Sequence, residues 1–101
     1  MRDTTPMATP LTPGERDALA AAHPAWALQD ETIQRTFKLA DFPAAIGFVA
    51  RVALLAEKAD HHPDIDIRWN QVTLTFTTHS VKALSDLDRH LVEVIDAWGT
   101  P

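Results

Sequence analysis

The chain has 101 residues, 46% of them hydrophobic, with a formal net charge of -5 and no cysteine. That length suits one domain around one core, and no apolar run approaches the roughly 18 residues a membrane span requires. The acidic balance, without any Lys/Arg cluster, opposes direct binding of nucleic-acid backbones, and the absence of thiols removes disulfides, thiolate metal sites and cysteine nucleophiles.

Residues 1–11 hold Pro6 and Pro10 among threonines and show no periodicity, so a flexible N-terminal segment is expected before a domain spanning 12–101. Residues 1–13 lack both a basic start and an apolar signal segment, and together with the missing cysteines this points to the cytoplasm. Thr12-Pro13-Gly14-Glu15 combines an N-cap hydroxyl, a proline suited to the first helical turn and a glutamate that can reach back to the cap amide. A helix to about Ala22 follows, and Pro24 stops it.

Residues 25–29 and 31–39 read as a hairpin turning near Asp30. Ile33, Phe37 and Leu39 share one parity, and Thr32, Gln34, Thr36 and Lys38 take the other. Arg35 interrupts the apolar side and is expected near an edge or against a partner charge. From Phe42 the period becomes helical: Ala45, Phe48, Val49, Val52, Leu55, Ala56 and Ala59 form one apolar stripe. Pro63 should end that helix at His61 or His62.

Ile65, Ile67 and Trp69 then alternate with polar residues, as do Val72, Leu74 and Phe76, with a tight hairpin over Trp69-Asn70-Gln71-Val72. Ser85 with Asp88 three residues on is a second cap signal, and Leu87, Leu91, Val94, Ile95 and Trp98 follow at helical spacing. The order helix, two strands, helix, two strands, helix predicts an α+β fold: a four-stranded antiparallel sheet with three helices packed on one face. The other face is rich in threonine and would meet solvent, a pocket or another subunit.

This topology converts sequence distance into proximity. His61 and His62 close the long helix, and the last hairpin returns the chain so that His79, just past its second strand, should approach them. Imidazoles ionise near neutral pH and can give or take a proton there. Three imidazoles can also hold zinc, but neither a helical His-x-x-x-His pair nor a cysteine is present, so a metal-free acid/base site is the stronger expectation. Glu57 and Asp60 can orient the imidazoles or simply solvate the helix end. His23 and His90 read as surface or hydrogen-bonded residues.

Ala56-Glu57-Lys58-Ala59-Asp60-His61-His62-Pro63-Asp64, Trp69 six residues after the proline, Thr78-His79 and Asp88 resemble the pterin-4a-carbinolamine dehydratase family. Trp26, Asp41-Phe42, Ala45, Phe48, Arg51-Val52-Ala53 and Leu84-Ser85 extend the likeness over residues 12–98. The resemblance implies the same α+β fold, homodimers or homotetramers, and dehydration of 4a-hydroxytetrahydropterin to quinonoid dihydropterin without metal or organic cofactor. It further implies His61 as general acid, His79 as second acid or base, and His62 as a member of the catalytic set that positions substrate. Glu57 and Asp60 would hold imidazoles, while the backbone around Pro63, Thr78, His79 and Ser80 would bind the pterin edge. Where relatives carry glycine after the Thr-His pair, this chain has Ser80-Val81-Lys82-Ala83, which is expected to reshape the pocket rim. The alternative from another class is a non-catalytic interaction module, a transcription-factor dimerisation cofactor or assembly chaperone on the same fold.

Overall fold

The computed structural model describes residues 7–99. Its elements are α1 (Pro13–Ala22), β1 (Ala27–Gln29), β2 (Thr32–Lys38), α2 (Phe42–Ala59), β3 (Asp64–Arg68), β4 (Gln71–Phe76) and α3 (Asp86–Ala97). The four strands form one antiparallel sheet in the order β1-β2-β4-β3. This is the α+β arrangement expected from the alternating periodicities.

Both predicted capping boxes form. Glu15 N donates to Thr12 Oγ1 and Thr12 N donates to Glu15 Oε1, so the first turn of α1 has two of its otherwise unpaired amides satisfied. Ser85 and Asp88 do the same for α3. Residues 1–6 of the expected flexible segment lie outside the described residues, but its last residues are tied down. Leu11 N donates to Leu84 O, Asp86 N to Thr9 O, and Thr9 N to the Asp86 carboxylate. Burial of Leu11 in the core supplies the apolar reason.

The sheet register explains the core. Ile33 faces Phe76, Arg35 faces Leu74 and Phe37 faces Val72 across the central β2–β4 pair, so these side chains share one surface. Ile33, Val72, Leu74 and Phe76 are buried there with Val52 from α2 and Leu91, Val92 and Ile95 from α3. Arg35 is thus in the middle of the inward face rather than at an edge. Its charge is met by Asp96 of α3, 2.9 Å away, which also accepts from Trp26 Nε1 at 2.8 Å and lies 2.6 Å from His23 Nδ1. On the opposite face Thr36 and Thr73 share a hydroxyl hydrogen bond and Gln34 donates to Thr75.

Three local details depart from the sequence reading. β1 starts at Ala27, because His23 to Trp26 make a turn in which Trp26 N donates to His23 O. Trp69 does not continue the apolar side of β3: it takes the left-handed position of the hairpin, with φ 52°, and is 69% exposed. Asn70 is buried instead, donating from Nδ2 to Leu39 O while its own carbonyl accepts from Leu39 N. Finally, α2 ends at Ala59, before His61. Asp60 turns left-handed at φ 53°, its amide donates to Glu57 O, and His61 N donates back to Ala56 O. These two bonds are the Schellman pattern, which stops a helix by satisfying its last carbonyls.

Candidate active site

The helix stop at Asp60 fixes the direction of the two following residues. His61 turns inward, with a side chain only 10% exposed, and stacks over the Phe76 ring at a centroid separation of 6.2 Å. His62 turns outward, and its Nε2 lies 2.8 Å from Glu57 Oε1. Divergence of adjacent side chains on irregular backbone thus produces two histidines in different environments.

The inward imidazole is held from the far side. His61 Nε2 lies 2.6 Å from Oδ1 of Asp88, a residue of α3 with no exposed surface. The other carboxylate oxygen accepts from Thr78 Oγ1 at 2.7 Å and from Ser85 N at 2.9 Å. Because the single Thr78 hydroxyl proton goes to Asp88, the 2.6 Å contact between Thr78 Oγ1 and Ser85 Oγ has Ser85 as donor. Burying a carboxylate is costly unless donors surround it. Here three donors do so, and among the described residues no buried side-chain polar atom lacks a partner.

With Nε2 directed at the carboxylate, Nδ1 is the ring nitrogen left for exchange with a ligand. His61 lines a hollow of about 250 Å³ together with His62, His79, Asp60, Thr78 and Ser80, closed by Thr77 and by Leu87 of α3. The return of the chain along β4 therefore brings His79 to the same cavity as the pair at 61 and 62. The exposed loop carrying His79 is shaped by paired main-chain bonds between Thr78 and Ala83, by Val81 N donating to Thr78 O, and by Lys82 N donating to His79 O. Lys82 takes the left-handed position, φ 53°, so a lysine occupies backbone space that favours glycine.

Of the residues assigned from sequence, His61, His62, His79, Asp60, Thr78 and Ser80 line the hollow. Glu57 reaches the site through His62, and half-buried Pro63 borders the segment without contributing to the lining. The imidazole that Glu57 meets at 2.8 Å is that of His62. Asp88 does not figure among the residues assigned to the site from sequence, yet it makes the shortest contact to an imidazole there. Its signal was the Ser-x-x-acid spacing, which places the carboxylate at a helix start beside Thr78. A larger hollow of about 420 Å³ between α1 and α3 is lined by Glu15, Arg89 and His23, but Glu15 pairs with Arg89 and His23 with Asp96. Size does not choose between the two; the smaller one gathers three imidazoles. Among the described residues no group of three or more His, Asp or Glu side chains is arranged to hold a metal ion.

The chain thus joins an α+β fold to a hollow lined by three imidazoles, one of them bonded to a buried carboxylate. The family model for pterin 4 alpha carbinolamine dehydratase matches residues 9–98, and the chain belongs to that family. Two bacterial relatives each bear the name "Putative pterin-4-alpha-carbinolamine dehydratase". The one from Chloroflexus aurantiacus is 55% identical over 76 residues, covering 75% of this chain and 82% of its own; that from Roseiflexus sp. is 48% identical over 90 residues, covering 89% and 97%. A crystal structure from Brucella melitensis, described as a transcriptional coactivator/pterin dehydratase, superposes with a TM-score of 0.83 at 37% identity, covering 88% of this chain and 97% of that one.

Proposed function

We propose that this chain dehydrates 4a-hydroxytetrahydropterin to quinonoid dihydropterin and water, returning the pterin left by an aromatic amino-acid hydroxylase to its redox cycle. The observation that carries the reading is the meeting of His61, His62 and His79 at one hollow, with His61 anchored to Asp88. His61 Nδ1 gives its proton to the 4a oxygen, which leaves as water. The lone pair of the adjacent ring nitrogen forms the new carbon–nitrogen double bond, and a ring N–H proton passes to His79, acting as base. Such acid or base assistance contributes about 10² to 10⁴ in rate. His62, held by Glu57, and the backbone from Thr78 to Ser80 orient the bicyclic ring; Asp60 and Pro63 shape the entrance. The steps need neither metal nor organic cofactor. A cytoplasmic location fits this role.

The test follows the breakdown of freshly generated 4a-hydroxytetrahydropterin with and without the protein, and with His61→Ala and His79→Ala. Each variant should lose most of the acceleration while keeping its circular dichroism spectrum. Wild-type turnover by the double variant refutes the assignment.

A homodimer or homotetramer is part of the same proposal, supported by the large apolar side chains Phe42, Ile46 and Leu54 that α2 leaves exposed. Light scattering should give a multiple of the chain mass, reduced by Ile46→Glu with Leu54→Glu. The coactivator description of the Brucella protein favours a second reading as an interaction module; a stable stoichiometric partner without accelerated carbinolamine loss would select it.

A further inference from the structure

His79 is carried by a loop that leaves the sheet at Thr77 and rejoins the fold at Leu84, and both ends of that loop are bound to one residue, Glu31. The main-chain oxygen of Glu31 accepts from Thr77 Oγ1 at 2.6 Å. Its carboxylate Oε2 accepts from Leu84 N at 3.1 Å. The same oxygen is paired at 3.1 Å with Arg16 of α1, whose other terminal nitrogen donates to the carbonyl of Asp30. A left-handed Asp30 makes the sharp turn after β1 that presents Glu31 to the loop.

The loop needs an external hold. Its own main-chain bonds are long, 3.2 to 3.3 Å between Thr78 and Ala83, Val81 and Thr78, and Lys82 and His79. It also places Lys82 in a backbone region disfavoured for residues with a Cβ. On the opposite side Leu84 O is fixed by Leu11 N, so the point where the loop rejoins the fold is pinned from two directions. Leu84 is followed by Ser85, which feeds the Asp88 network.

The geometry points to Glu31 as a positioning residue for His79, a clasp that closes the base of the loop with its carbonyl at Thr77 and its carboxylate at Leu84 and so sets the imidazole over the hollow. This rests on the dehydratase reading for its kinetic consequence, but its structural content does not. Arg16 orients the clasp through α1, which links the capped first helix to the site. Misplacement of a catalytic group by a fraction of its reach lowers the chemical step more than binding, so removal of the carboxylate should act on kcat.

The test uses the full chain. Glu31→Ala should lower kcat about tenfold with KM held within about twofold. It should cause no further fall when made in His79→Ala, because the residue it positions is already gone. Glu31→Gln retains an acceptor for Leu84 N but loses the charge facing Arg16, and should fall between, at about threefold. It also keeps the test open if the alanine variant does not fold. An equal fall in both backgrounds, or an unchanged kcat, overturns the assignment. Native-state amide exchange is the readout independent of catalysis. The Leu84 amide should exchange about tenfold faster in Glu31→Ala, with shifted His79 ring resonances; unchanged exchange overturns the clasp. If wild-type protein fails to accelerate carbinolamine loss, the dehydratase reading falls and the exchange result still decides the clasp.

Discussion

His61 Nε2 and Asp88 Oδ1 stand 2.6 Å apart, although 27 residues separate them in the chain. The carboxylate is wholly buried and is also held by Thr78 and Ser85, so the imidazole is fixed by a group that cannot itself relax toward water. A hydrogen bond of this kind sets which ring nitrogen faces the hollow.

Asp88→Asn keeps the shape and removes one acceptor. An amide offers a single oxygen, so it can serve His61 or the Thr78–Ser85 side, and its NH2 must face a donor on the other. The expected result is a loss of about 1–3 kcal/mol of stability by urea unfolding, together with, on the proposed dehydratase reading, a fall in turnover of at least about tenfold. A variant as active as wild type would show that the anchor does not set the chemistry of His61.

Lys82→Gly removes the side chain from the left-handed position of the His79 loop. Left-handed backbone costs a residue with a Cβ about 1–2 kcal/mol, while glycine adds about 0.5–1 kcal/mol of entropy cost on folding. The balance is a gain of about 0–1.5 kcal/mol, read as a raised urea midpoint. Destabilisation would mean that the lysine side chain contributes more than its backbone strain removes.

Apolar periodicity located β2, α2, β3, β4 and α3, because residues at spacings of three and four or of two share one face, while the cap at Thr12 and the stop at Pro24 located α1. The convergence of His79 on His61 and His62 followed from the hairpin. What stayed hidden depends on groups that no local pattern reveals. Asp60 ends α2 by adopting a conformation more usual for glycine, so the stop came earlier than Pro63 alone implied. Asp88 reads as an ordinary cap until α3 is packed against the end of β4. Arg35 on the apolar side of β2 foretold a partner charge without naming Asp96, which lies 61 residues away.

Glu15 gives the fold a defined acid response. Its carboxyl is held below its ordinary value, first by the backbone amide of Thr12 and then by Arg89. A carboxyl lowered on folding adds stability above its unfolded value and loses it as pH falls through the folded one. Glu15→Gln can still complete the capping box, so it isolates the charge. The stability gap between variant and wild type should be constant above the ordinary value of 4.5 and shrink in more acidic solution. A gap that widens on acidification contradicts the assignment.

Asp96 joins three elements through one carboxylate: His23 after α1, Trp26 before β1 and Arg35 in β2. Its removal leaves Arg35 on the core side of the sheet without its anion and leaves the Trp26 indole N–H without its acceptor, while the side chains involved are mostly withdrawn from water. Breaking such a pair from one side costs about 3–5 kcal/mol when fully buried; the remaining solvent contact reduces the expected cost of Asp96→Ala to about 2–4 kcal/mol. Against a typical net stability of about 5–15 kcal/mol, that is a large fraction. Arg35 also lies over the Phe37 ring at 4.3 Å, so its aliphatic stem and guanidinium fill space that methionine can occupy in part. Adding Arg35→Met to Asp96→Ala should therefore recover part of the loss, since the double change no longer buries an uncompensated charge. Urea unfolding of the two single variants and the double variant measures the coupling. A double variant less stable than Asp96→Ala would show that Arg35 is retained for packing rather than for its partner.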